Sequence, residues 1–232
     1  MQVIHDRHLL YIPSREIERV LISQGQLDVP SPVECQAADF VHWPTLTLVG
    51  AYYDICFHYR QAPTQEQMIS HYFAGNREHA SESTKEVYRA MRKRVARAYN
   101  SLVAEHHLLS LCIESNRFDA CAKSEQIDIS SSVDLLLRVE SFEMGFEIRV
   151  PTKHSDMFGE IKAERQEVRN RVGQTVWKGW VCRVRMNFSK MQQLAGIHLF
   201  TPIPWVSRIR QTIDEERRRL AGFGQLPLIK GD

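Results

Sequence analysis

The sequence predicts an α/β protein in two parts: an N-terminal arm and helical module over residues 1–82, then a mixed sheet flanked by helices over residues 83–232. Apolar residues recur at helical spacing as far as about Cys112. After Ile113 the pattern changes to short apolar runs with strand character. The resulting order over the second part is helix, strand, strand, helix, strand, strand, helix, which suits a mixed sheet with helices packed on it.

Each element follows from local signals. Residues 1 to about 45 are broken by Pro13, Gly25, Pro30 and Pro32, leaving one short helix near Ser14–Ser23. Leu46–Tyr59 is mostly apolar and aromatic and predicts a buried helix. In Pro63-Thr64-Gln65-Glu66-Gln67, Thr64 can cap a helix while Gln67 reaches back; that helix ends by Gly75-Asn76. Ser83-Thr84-Lys85-Glu86 repeats the capping logic and opens the longest helix, to about Cys112, with Val87, Met91, Val95, Ala98, Leu102 and Leu109 as its apolar stripe. Three helices with a basic third one resemble a helix-turn-helix, with winged-helix-like as one form of it. Strands are predicted at 133–139, 145–151, 179–186 and 196–201, a helix at 156–172, and a closing amphipathic helix over Trp205–Leu220 after Pro202 and Pro204.

Composition narrows the class. With 43% hydrophobic and 25% charged residues the chain is ordinary for a globular protein. It lacks both a run long enough to span a membrane and the layout of a signal peptide. Five scattered cysteines without C-x-x-C spacing point to reduced thiols in a cytoplasm. The net charge of +2 hides a segregation: Lys85–Arg97 carries Lys85, Arg89, Arg92, Lys93, Arg94 and Arg97 against Glu86 alone. Such a cluster is either the footprint of a polyanion or a solvated helix face. Arg89, Lys93 and Arg97, spaced by four, would form an exposed ridge on this helix. Histidines are dispersed, and no nucleotide-binding glycine motif or nucleophile elbow occurs. The aromatic set Tyr52, Tyr53, Phe57 and Tyr59 suits a core better than a base-stacking platform. Trp177 and Trp180 flank Lys178, a pattern that fits a strand edge or a phosphate backbone.

The most informative residues lie in two adjacent predicted strands, Val133-Asp134-Leu135-Leu136-Leu137-Arg138-Val139 and Gly145-Phe146-Glu147-Ile148-Arg149-Val150. The strand period of two places Glu147 and Arg149 on one face, beside Asp134 at the start of the neighbouring strand. Carboxylates set in apolar strands cost several kcal/mol unless paired, so they need a cation or a metal. Glu105 poses the same question on the long helix, three residues after Leu102 and four before Leu109. The bland alternative pairs these acids with arginines such as Arg138, Arg149 or Arg183.

Glu105, Asp134 and Glu147-x-Arg149 together resemble the PD-(D/E)XK nuclease superfamily, over about residues 95–205. The resemblance implies a restriction-endonuclease-like fold for 83–232. It also implies Mg²⁺ held by Glu105, Asp134 and Glu147, with Asp134, Glu147 and Arg149 at the chemistry. Arg149 stands where the family usually has lysine; arginine stays protonated, so it suits steadying a phosphate better than acting as a base. Gly159-Glu160-Ile161-Lys162 holds a literal E-x-K but sits in a charged helical pattern. The expected function is a metal-dependent DNA endonuclease or nuclease-like subunit of a DNA-processing system, such as a mobile element or defence pathway. Its DNA contacts would come from Arg89, Arg92, Lys93, Arg94 and Arg97. The rival is a non-enzymatic nucleic-acid-binding or assembly protein, and protein partners or a homo-oligomer fit either.

Overall fold

A computed structural model describes residues 11–38, 41, 43, 45–123, 133–149, 179–185 and 188–222. Among these the architecture is mixed α/β, with a four-stranded mixed sheet and a separate two-stranded one. The described residues up to His107, together with Gln192–Leu199, form a helical unit. Those from Leu108 to Met191 and from Phe200 onward form a sheet unit. The division thus falls inside the longest helix, after His107, whereas the sequence places a boundary before that helix, at 82/83.

The helical unit contains α1 (Ser14–Gln24), α2 (Pro32–Cys35), α3 (Leu48–Tyr59), α4 (Gln65–Gly75), α5 (Arg77–Glu82) and most of α6 (Lys85–Glu114). Thr64 and Gln67 form the expected capping box, and Ser31 with Glu34 forms another at α2. At α6 only half of the expected device exists. Thr84 Oγ1 accepts from the Val87 amide, while the Ser83 hydroxyl donates back to the His79 carbonyl. Met91, Val95, Leu102 and Leu109 of the expected stripe are buried; Val87 and Ala98 are half-buried. From Leu102 to Cys112 nearly every side chain of α6 is buried, including His106 and His107, so burial there is not confined to one face. Tyr52, Met68, Tyr72 and Tyr99 fill the rest of this core. Polar ties cross it: the Gln65 side-chain amide donates to the Asp28 and Ala96 carbonyls, and the Tyr99 hydroxyl donates to that of Pro63.

In the sheet unit, β1 (Ala120–Ala122), β2 (Leu135–Val139) and β3 (Phe142–Arg149) form an antiparallel meander, and β4 (Trp180–Arg185) pairs parallel to β3. Parallel neighbours need a crossover of a dozen or more residues. The segment between β3 and β4 is long enough for one; the helix expected at 156–172 lies there, outside the described residues. Alternation along β2 and β3 turns Leu135, Leu137, Val139, Phe142, Met144 and Phe146 to one buried face. On that side Arg219 of α7 (Ser207–Gly222) lies over the Trp180 ring, and Arg217 pairs with Glu140. Ile209, Ile213 and Leu220 form the buried stripe of α7.

Two strands were absent from the expectation. β1 is too short to leave a periodic signal. Residues 196–201, expected as a strand of the main sheet, instead give β6 (Ile197–Leu199), paired with β5 (Gln192–Leu194) in the helical unit. Ala195 and Gly196 form the two-residue turn between them, both at positive φ (53° and 87°). The positive φ at Gly196 favours glycine, and the neighbouring Gln26 side-chain amide, though close, is flexible enough to move aside.

Candidate functional site

The β2–β3 hairpin brings two of the expected site residues together. Its loop is only Glu140-Ser141, with Glu140 at φ 53°, and its register pairs Leu135 with Phe146. Asp134, one step before β2, donates its backbone N–H to the Phe146 carbonyl (2.9 Å). Its carboxylate Oδ2 accepts the Ile148 amide at 2.6 Å. The Asp134 carboxylate therefore lies directly against the peptide that joins Glu147 to Ile148. Both acids are nearly withdrawn from water, Asp134 at 8% exposure and Glu147 at 6%. Asp134, one residue before β2, and Glu147 on β3 thus meet across the hairpin, while Arg149, expected with them, follows two residues further along β3.

The register places further charged residues opposite one another along β3. Glu143, Glu147 and Arg149 alternate along β3, with Arg138 opposite Glu143, Arg183 opposite Glu147 and Arg185 opposite Arg149. Arg185 was missed from the sequence. Its signal was available: in Trp-Val-Cys-Arg-Val-Arg the period of two sets Arg183 and Arg185 on one face. Val133, Leu136 and Ala122 make a small apolar cluster in this unit.

Glu105, the third expected carboxylate, belongs to the helical unit and is half-buried. It is close enough to Tyr52 to raise that phenol's pKa, a minor cause beside burial itself. Tyr52 also shares a hydrogen bond with His106 Nδ1 at 3.1 Å. Among the described residues no group of three or more His, Cys, Asp or Glu is placed to hold a metal ion. Two buried carboxylates still suit Mg²⁺, which keeps several of its waters and is commonly bound through one or two carboxylates.

The basic stretch of α6 is largely engaged within the protein. Arg92 pairs with Glu66 at 2.6 Å, and Lys93 pairs with Asp28 at 2.8 Å and with Glu34 at 3.7 Å. Arg94 donates to the Ala38 and Val41 carbonyls, anchoring the chain before α3. The hydrogen bond to Asp28 raises the Lys93 pKa, and the Ser31 amide lowers that of Glu34. Arg89 is exposed and Arg97 half-buried, and neither forms an ion pair among the described residues. The expected ridge of Arg89, Lys93 and Arg97 is thus interrupted at its centre by a paired lysine.

Among the described residues no helix is long and apolar enough to cross a membrane. Comparison with protein-family models, with curated proteins and with solved structures finds no match.

Proposed function

We propose that the sheet unit is a nuclease-like domain acting on DNA with a divalent cation, in the manner of the PD-(D/E)XK superfamily that its residues resemble. The observation that carries this reading is the Asp134–Glu147 pair: two buried carboxylates on adjoining strands, beside register positions rich in arginine. Two carboxylates brought together out of water repel one another, and a divalent cation between them relieves that repulsion. The element order supports it as well. The resemblance implies helix, strand, strand, helix, strand; here α6 is followed by β2, β3, a crossover-length segment and β4, with the short β1 added before β2.

In this reading Asp134 and Glu147 hold Mg²⁺ on the sheet. When bound, the ion lowers the pKa of a coordinated water and polarises the phosphodiester. The Ile148 amide fixes the orientation of the Asp134 carboxylate. Arg149 steadies the negative charge that develops on the phosphate, a task that suits a permanently charged planar group. Arg89, with Arg97, supplies backbone contacts from α6, and Arg92, Lys93 and Arg94 join them where their internal pairs open.

A second reading, a nucleic-acid-binding or assembly protein without chemistry, is favoured by two observations. Asp134 already serves the hairpin as an amide acceptor, and arginine stands in place of the family's lysine. Incubating plasmid and single-stranded DNA with the protein in Mg²⁺, Mn²⁺ and EDTA separates the two. Metal-dependent strand scission, lost in Glu147→Gln, is the expected result. Binding without scission in either metal would establish the second reading instead.

A further inference from the structure

We propose that the groove between α6, α4 and the chain around α2 is a nucleic-acid backbone site that the protein's own carboxylates occupy until a strand displaces them. The inference rests on the nucleic-acid part of the function proposed above and is independent of the chemistry at Asp134 and Glu147. The groove lies wholly within the helical unit and encloses about 950 Å³. One wall is α6, whose 3.6-residue turn brings Lys85, Arg89, Arg92 and Lys93 to the groove along about 12 Å of helix, with Glu86 the single acid among them. Facing them are Glu66 at the start of α4, Glu34 within α2, and Asp28 in the chain before it. Ile69 and Ala90 give it a buried apolar floor.

The four cations fall into two classes. Arg92 and Lys93 are held by Glu66 and by Asp28 with Glu34, across 26 and 65 residues of sequence. Lys85 and Arg89 make no ion pair among the described residues, although they lie one and two turns away on the same helix face. The paired side chains are 40–64% exposed, so their bridges are solvated, salt-screened and cheap to exchange. A carboxylate oxygen and a phosphodiester oxygen are interchangeable acceptors for an ammonium or a guanidinium. A strand presents many phosphates in series and releases condensed counterions when cations neutralise them. It therefore gains on Lys85 and Arg89 immediately and can then replace the carboxylates on Arg92 and Lys93. An acidic polypeptide offers the same kind of group already present and lacks that condensed atmosphere, so nucleic acid is the occupant the charges favour.

The test measures binding of fluorescent single- and double-stranded DNA to the full chain in EDTA, so cleavage plays no part. Lys85→Ala/Arg89→Ala should weaken binding at least tenfold and lower the slope of log K against log salt by about two. Asp28→Asn/Glu34→Gln should instead tighten binding by about two- to fivefold at low salt, the release expected for an exposed pair. The Glu34→Gln change retains a side-chain oxygen for the Ser31 cap, so α2 should remain formed. Glu66→Gln, which frees Arg92, provides a second release variant on another element, with melting curves confirming that each variant is folded. Release variants that are folded yet bind no more tightly than the unmodified protein would overturn the proposal. So would polyglutamate competing as well as DNA at equal charge, which would assign the groove to an acidic polypeptide. Absence of scission with Mg²⁺ would remove the chemistry proposed above and leave this outcome unaffected.

Discussion

Replacing Asp134 separates what its carboxylate does for the hairpin from what it does for a metal. Asp134→Ala leaves the Ile148 amide, now bonded at 2.6 Å, without its acceptor at a site only 8% exposed. An unsatisfied buried donor costs about 1–3 kcal/mol, and a bond to an ionised acceptor lies toward the upper part of that range. Partial access of water to the strand end argues for about 2 kcal/mol, or about 4–8 °C in melting temperature for a unit of this size. Asp134→Asn keeps an oxygen of the same shape in the same place, so it should recover most of that loss. As a metal ligand, asparagine replaces an anion with a neutral amide, so Asp134→Asn should abolish metal-dependent activity while stability stays near that of the unmodified protein. Thermal melts followed by circular dichroism, alongside the cleavage assay, measure both quantities. An Asp134→Ala protein that melts with the unmodified one would refute the claim that this carboxylate secures the hairpin.

Other consequences concern stability. Burial raises the thiol pKa of Cys56 and Cys112 far above normal and pushes Cys121 up to about 12. Unfolded thiols ionise near about 8.5, so above that pH the unfolded chain binds fewer protons than the folded one. Their contribution is complete below pH ~8.5 and declines as pH rises toward the folded values, by up to about 1.4 kcal/mol per pH unit for each thiol. Urea melts at pH 7.5, 8.5 and 9.5 should show this decline, and level stability across the series would contradict it. Thr64→Ala removes the acceptor for the Gln67 amide and should cost about 1 kcal/mol in the same melts.

What the sequence disclosed and what it hid follow from the range of the interactions involved. Helix starts were legible because a cap is a three-residue affair: Thr64 and Gln67 meet as their spacing suggests. The hairpin was legible because Leu135–Val139 is a short apolar run and Phe146–Ile148 alternates around Glu147. The second strand was started three residues too late, at 145 instead of Phe142, since Glu143, lying opposite Arg138, reads as part of a polar break when the strand beside it is unseen. β6 was expected as a strand, but its partner β5 escaped because the turn between them uses alanine at positive φ, where asparagine or glycine is the usual sign. The fate of the α6 cations was not legible at all. Asp28 lies 65 residues before Lys93, and the Ala38 carbonyl 56 before Arg94. Charge counts record the cations but not the partners that folding brings to them.

The central claim is that Asp134 and Glu147 together make a divalent-cation site. Titrating Mn²⁺ into the protein while following free Mn²⁺ by electron paramagnetic resonance tests it without assuming any substrate. The account predicts saturable binding by the unmodified protein, displaced by excess Mg²⁺ and lost in Glu147→Gln even though that variant remains folded. Binding that persists undiminished in Glu147→Gln, or no saturable binding by the unmodified protein, would contradict it.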